Sequence, residues 1–314
     1  MSKVREALEK AKRERMRASA DDRQTPERKA AKPARADDTS AKRVQPSKRD
    51  EPRAQDEPNL RQIRVDIDAL RREGMVAPEN QEHHLANEYR QIKRPLISNV
   101  LGRGGTEVPR ANLIAVMGSV PSEGKTFTCL NLALSIAREK DWRVLLVDCD
   151  TPKPRLSTVF GLRGEPGILD LLRKPELSIT DVLLTTDIPG LSIIPAGRQD
   201  DHATELLASR RMEAVAEELS SADPSRVVLF DTSPLLLTAE SSAVASHVGQ
   251  IVVVVRAGHT TQNQLQQAVG KLDQKKAIGL VLNQSEVGID ALGYGYPYGY
   301  GTQYGSQPDA AHFD

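Results

Sequence analysis

The residues with the most obvious chemistry begin at Gly118-Ser119-Val120-Pro121-Ser122-Glu123-Gly124-Lys125-Thr126, with Phe127 next. A short apolar run, 113–117, leads into this stretch, and an amphipathic pattern follows it. A small-residue loop between a strand and a helix aims main-chain N–H groups at one point. The helix N-terminus adds partial positive charge, so such a loop holds phosphates. Gly124 leaves the approach clear, Lys125 is placed to reach β- and γ-phosphates, and the Thr126 hydroxyl suits Mg²⁺. The strict pattern has glycine six residues before the lysine; Ser119 stands there, with Gly118 one step earlier. The expected ATP contacts are therefore Gly118, Ser119, Ser122, Glu123, Gly124, Lys125, Thr126 and Phe127.

Two further apolar runs end in acids: 144–147 in Asp148-Cys149-Asp150, and 227–230 in Asp231-Thr232. In an open α/β sheet ligands bind beyond the carboxyl ends of strands, which would bring these carboxylates to the edge that carries the loop. Carboxylates are hard oxygen ligands for Mg²⁺, and one can accept the proton of an attacking hydroxyl. Thr126, Asp148 and Asp231 form the expected metal set; Lys125, Asp148, Asp150 and Asp231 form the expected catalytic set. Each acid alone could equally cap a turn. Asn283, after the run 280–282, could read a purine edge through its amide or simply end a strand. Cys149 sits between acids that disfavour a thiolate. The six histidines show no metal-ligand spacing.

The elements that must position these groups follow from hydrophobic pattern. Runs at 113–117, 144–147, 191–195, 227–230, 251–255 and 280–282 are near-continuously apolar, as strands buried on both faces require. Helical patterns at 125–138, 203–220, 238–246 and 260–273 separate them. The alternation predicts an α/β fold, a P-loop NTPase-like doubly wound, mostly parallel sheet. Ahead of it, Ile63, Ile67 and Leu70 fall at helical spacing up to Gly74. A second helix is expected over 84–93, closed by Pro95.

The ends of the chain differ in kind. Residues 1–58 hold 17 Lys and Arg against 12 Asp and Glu and no aromatic residue. Such a segment cannot bury enough surface to order itself, so a disordered basic extension is expected, with a solvated or docking helix over 2–17. Residues 59–110 are the expected helical lead-in, 111–287 the main domain, and 288–314 a flexible tail. Five of the chain's six tyrosines, Tyr294, Tyr296, Tyr298, Tyr300 and Tyr304, lie in that tail among glycines. By composition alone this could be a low-complexity segment. A formal net charge of zero argues against a nucleic-acid partner. No signal-peptide pattern and no apolar run of ~20 residues are present, so a cytoplasmic location is expected.

Taken together, VMGSVPSEGKT, VLLVDCD, VVLFDTSPLLLTAE and the tail GYGYPYGYGTQYG resemble the bacterial tyrosine kinases of exopolysaccharide synthesis, over about residues 60–305. EYRQIKRPLI and TELLAS look like the stand-alone, exosortase-associated subgroup. The resemblance implies that Lys125 and Thr126 hold ATP and Mg²⁺. It implies that Asp148 and Asp150 form the additional acidic pair, with Asp148 as base or metal-bound acid, and that Asp231 is the Walker B acid. It implies a tyrosine autokinase working on the tail tyrosines of a neighbouring copy in a homo-oligomer. A membrane polysaccharide co-polymerase would activate the kinase and recruit it to the inner membrane face. The sequence departs from the family at Pro152, where arginine is frequent. It departs again in the oligomerisation helix, where Asn87, Arg90 and Lys93 occupy the motif positions. Two other readings compete. One is a regulatory ATPase of the partitioning or division-site type, against which Val120 stands in place of that family's extra lysine. The other is a non-catalytic ATP-binding scaffold.

Overall fold

The computed structural model describes residues 60–76, 81–105 and 107–285. The expectations for residues 1–58 and for the tail tyrosines lie outside these. Eight strands form one sheet: β1 (Gln62–Ile63), β2 (Leu113–Gly118), β3 (Arg143–Cys149), β4 (Leu184–Thr186), β5 (Leu191–Ile194), β6 (Arg226–Thr232), β7 (Gln250–Arg256) and β8 (Ala277–Asn283). Their order is β1-β4-β5-β3-β6-β2-β7-β8. Every pairing is parallel except β4 with β5. The apolar runs become strands because each residue type suits a pleat covered on both sides. Along β2, Leu113, Ala115 and Met117 enter one core while Ile114 and Val116 enter the other.

Helices cover both faces. On one lie α2 (Glu82–Val100) and α3 (Lys125–Ala137), contributing Tyr89, Leu96, Leu130 and Ile136. On the other lie α5 (Ile168–Arg173), α8 (Arg210–Ser221) and α9 (Glu240–His247), contributing Leu169, Met212 and Val244. Among the described residues no helix is long and apolar enough to cross a membrane.

Several local expectations need correction. The helix expected to close at Pro95 runs through it to Val100. Proline removes one hydrogen bond, here to the Gln91 carbonyl, and carries a penalty of about 3 kcal/mol in a helix interior. Burial on α3 offsets it: Tyr89, Lys93 and Leu96 are all buried, and Lys93 Nζ donates to the Ser135 carbonyl at 2.6 Å and pairs with Glu139 at 2.6 Å. Lys93, an expected oligomerisation position, is thus committed within the chain. Ile63 lies in β1, not in the helix that follows, α1 (Ile67–Arg72). The single helix expected over 203–220 is two, α7 (Ala203–Leu207) and α8, because the Ser209 side chain caps α8 by accepting from the Met212 N–H. The short elements α4 (Arg155–Val159), α5, α6 (Ile179–Val182), β1 and β4 carry too little periodicity to be seen in sequence. α10 (Gln262–Gly270) completes the set described.

Candidate active site

The loop between β2 and α3 is held from behind. Gly124 caps α3 with φ +93°, a conformation that favours glycine. Glu123 is fully buried; one carboxylate oxygen accepts the Val120 N–H at 2.9 Å and the other accepts the Thr260 hydroxyl at 2.7 Å. Gly118 is required because a Cβ there would collide with that carboxylate. The Asn283 amide donates to the Glu123 carbonyl at 2.9 Å. Thr260, beyond β7, and Asn283, at the end of β8, therefore brace the loop through Glu123; Glu123 and Asn283 are both expected nucleotide contacts. Lys125 Nζ donates to the Val120 carbonyl at 2.8 Å and lies 3.9 Å from Glu123 Oε2. Burial lowers its pKa, while Glu123, Asp231 and Asp150 work to raise it.

The acids meet as the strand order dictates. β3 lies beside β6, and Asp148 is the register partner of Asp231. Both are fully buried. Asp148 is well supplied: Oδ2 accepts the Ser157 N–H and hydroxyl at 2.7 Å each, and Oδ1 accepts the Asp150 N–H at 3.2 Å. Burial pushes its pKa up to about 6 against those bonds. Asp231 differs, because neither carboxylate oxygen receives a hydrogen bond of ordinary geometry. Burial, and then Asp148, push its pKa well up; the Thr126 hydroxyl and the Lys125 charge pull the other way. A buried carboxylate without donors is poorly satisfied by protein alone. A hard divalent cation fits it, and Thr126 supplies a further oxygen of the right kind.

A cavity of about 1020 Å³ opens over the carboxyl ends of β2, β3, β5 and β6. Lys125, Thr126 and Asp150 line it; Asp148, Asp231 and Asn283 do not. Asp150 is the carboxylate that faces the cavity, and burial raises its pKa, with the Lys153 N–H and the Lys125 and Lys153 charges opposing. The lining also carries Lys153, Arg155, Arg163 and Arg198. Sequence reading missed Ser157, Thr260 and this basic wall. They lie on loops or in the five-residue α4, and their approach to the acids is tertiary, although three of the four cations fall within 13 residues of Asp150.

Residues 111–280 match a family model described as an AAA domain. The tyrosine-protein kinase ptk of Acinetobacter johnsonii is 32% identical over 176 residues, 55% of this chain and 24% of that protein. The tyrosine-protein kinase YwqD of Bacillus subtilis (strain 168) is 29% identical over 192 residues, 60% of this chain and 78% of that protein. The crystal structure of the VpsO kinase domain is 30% identical with a TM-score of 0.54, covering 66% of this chain and 98% of that one. The chain spans about a quarter of the length of the first curated relatives it matches, 24% and 25%.

Proposed function

Because this chain belongs to the AAA-domain family, in its bacterial tyrosine-kinase branch, we propose that it transfers the γ-phosphoryl group of ATP to the tail tyrosines of a neighbouring copy. The observation that carries this is the pairing of Lys125 and Asp150 on one cavity wall with the donor-free Asp231 beneath. Lys125 would hold the phosphates and offset the charge that grows on them. Asp150 would take the proton from the tyrosine hydroxyl as its oxygen attacks the γ-phosphorus. The bond to the bridging oxygen then breaks and ADP leaves with the electron pair. Thr126 and Asp231, with Asp148 behind, would hold Mg²⁺, whose charge neutralises the β- and γ-oxygens when bound. Asp148, already engaged by Ser157, suits orientation better than proton transfer, so the base role moves from Asp148 to Asp150.

Tail tyrosines suit the acceptor role by number and position, whereas Tyr89 is 5% exposed and burial raises its pKa. By the family resemblance of its motifs the activity would regulate exopolysaccharide synthesis and export. It would do so with a membrane co-polymerase as activator and with the segment 59–110 contributing to self-assembly. Incubation with Mg-ATP and mass spectrometry tests the central claim. Phosphate is expected on Tyr294–Tyr304 of the full chain and absent from Lys125→Met. Transfer in trans predicts that wild type truncated after Asp290 phosphorylates the intact tail of Lys125→Met. ATP hydrolysis with no phosphotyrosine in any mixture, activator fragment included, would sink the kinase reading.

A further inference from the structure

We propose that Lys153, Arg163 and Arg198, on the outer wall of the cavity, bind a phosphotyrosine already present on the tail, two residues from the tyrosine in reaction. The inference rests on the kinase reading and adds a second anion site to it.

Charge is the first observation. The cavity lining carries five cations, Lys125, Lys153, Arg155, Arg163 and Arg198, against the single carboxylate of Asp150. Lys125 belongs to the phosphate loop, and Arg155 pairs with Glu73 at 2.8 Å. Arg163 and Arg198 form no ion pair with a carboxylate among the described residues, while the Lys153 charge acts on Asp150. Arg163 and Arg198 are set in place. Arg163 Nε donates to the Thr158 hydroxyl at 3.0 Å, which fixes the guanidinium by one nitrogen and leaves its terminal pair for a ligand. The Arg198 main-chain N–H donates at 3.0 Å to Asp170, itself buried and also bonded to the Gly167 N–H and to Arg173, which anchors the backbone from which the Arg198 side chain leaves. A planar guanidinium held through Nε, as that of Arg163 is, suits the oxygens of a phosphate monoester.

Space is the second. At about 1020 Å³ the cavity is at the upper end of the ~300–1,000 Å³ typical of one small-molecule ligand. Its lining takes nothing from the ends of β7 and β8; it extends from the phosphate loop toward the segments after β3 and β5. The room therefore lies on the acceptor side of the loop.

The acceptor supplies the third. Tyr294, Tyr296, Tyr298 and Tyr300 recur at every second position. In an extended peptide such residues share one face, about 6.6 Å apart. Whichever tyrosine reaches Asp150, its neighbour stands one step along the same wall. Once phosphorylated, that neighbour carries roughly −1.5 to −2 charges and would be repelled by the nucleotide's own phosphates unless cations receive it. The basic wall turns this repulsion into attraction, so each transfer favours the next along the tail by the same displacement.

The test uses the full chain with its five tail tyrosines changed to Phe and fluorescein-labelled peptides of residues 292–306. One peptide is unphosphorylated, one carries phosphate on Tyr296, and one carries Glu in place of Tyr296. Anisotropy without ATP should show the phosphopeptide binding at least about fivefold more tightly than the unphosphorylated one. The Glu peptide should fall between them, and the preference should collapse in Arg163→Gln/Arg198→Gln. With Mg-ATP, the phosphopeptide should also show the higher kcat/KM for new phosphate. Equal binding of the three peptides, or a preference that survives the double substitution, overturns the proposal. A preference for the phosphopeptide without any transfer leaves the site standing and removes the kinase reading. Equal binding with equal transfer does the reverse.

Discussion

The two edges of the sheet treat buried polar groups in opposite ways. At the amino edge most buried polar groups are paired, the Arg226 Nε being an exception. Gln250, fully buried at the start of β7, donates to the Leu96 and Ala111 carbonyls and accepts from Asn99 at 2.7 Å. Just beyond, Arg110 reaches Glu213 at 2.6 Å and Glu217 at 2.7 Å, and Glu213 also meets His247 Nδ1 at 2.6 Å. Arg110, and then His247, hold the Glu213 carboxyl down at about 2. At the carboxyl edge, Asp148 is pushed up and Asp231 is left without donors. The amino edge lowers the free energy of the fold; the carboxyl edge raises it and holds groups ready for an outside partner. Poorly satisfied groups in an otherwise satisfied fold mark where binding is to be completed.

Asp231→Asn gives the largest expected effect. It should reduce phosphotransfer by about 100-fold or more while making the nucleotide-free chain more stable, by on the order of 1–2 kcal/mol, since the cost of keeping a carboxyl buried beside Asp148 is removed. Kinase assays paired with urea melts check both signs; lower stability in this variant would break the contrast between the edges. Gln250→Ala should do the opposite. Two buried carbonyls lose their donor, so stability should drop by about 2–3 kcal/mol with the turnover of the folded fraction unchanged.

Asn283→Ala sharpens the comparison from within the site. Removing the brace on the Glu123 carbonyl should raise the KM for ATP several-fold, with a smaller change in kcat, because the amide positions the loop and takes no part in transfer. The smallest effect belongs to Glu213→Gln. Its depressed pKa means stability that is present above the unfolded value of 4.5 and lost as pH falls through about 2. Half of the side chain is exposed, 51%, so screening limits the difference to under about 1 kcal/mol. Wild type and variant should converge in acid melts as pH falls below about 2.

The long elements were legible because their signals are local. Six of the strands announce themselves as apolar runs, and the Gly-Lys-Thr loop stands at the seam of strand and helix where its chemistry requires it. Pro95 misled because proline's penalty is local while the burial of α2 on α3 is not. Glu123 and Asn283 are expected nucleotide contacts by position; the structure adds that the Glu123 carboxylate and the Asn283 amide hold the loop, and no spacing along the chain reveals that Thr260 closes on Glu123.

Composition and short-range pattern were thus enough to settle the α/β class, the phosphate loop and the presence of acids at two strand ends. Only the tertiary structure decided what each acid can do. Asp148, Asp150 and Asp231 are the same residue type, at the same kind of place. The pairing of β3 with β6 put two of them in register under the cavity; Ser157 satisfied one, no hydrogen bond of ordinary geometry reached the other, and the third was left facing the cavity. Hydration and donor supply set a carboxylate's behaviour, and both are properties of the packed surroundings that the residue's own position in the chain does not contain.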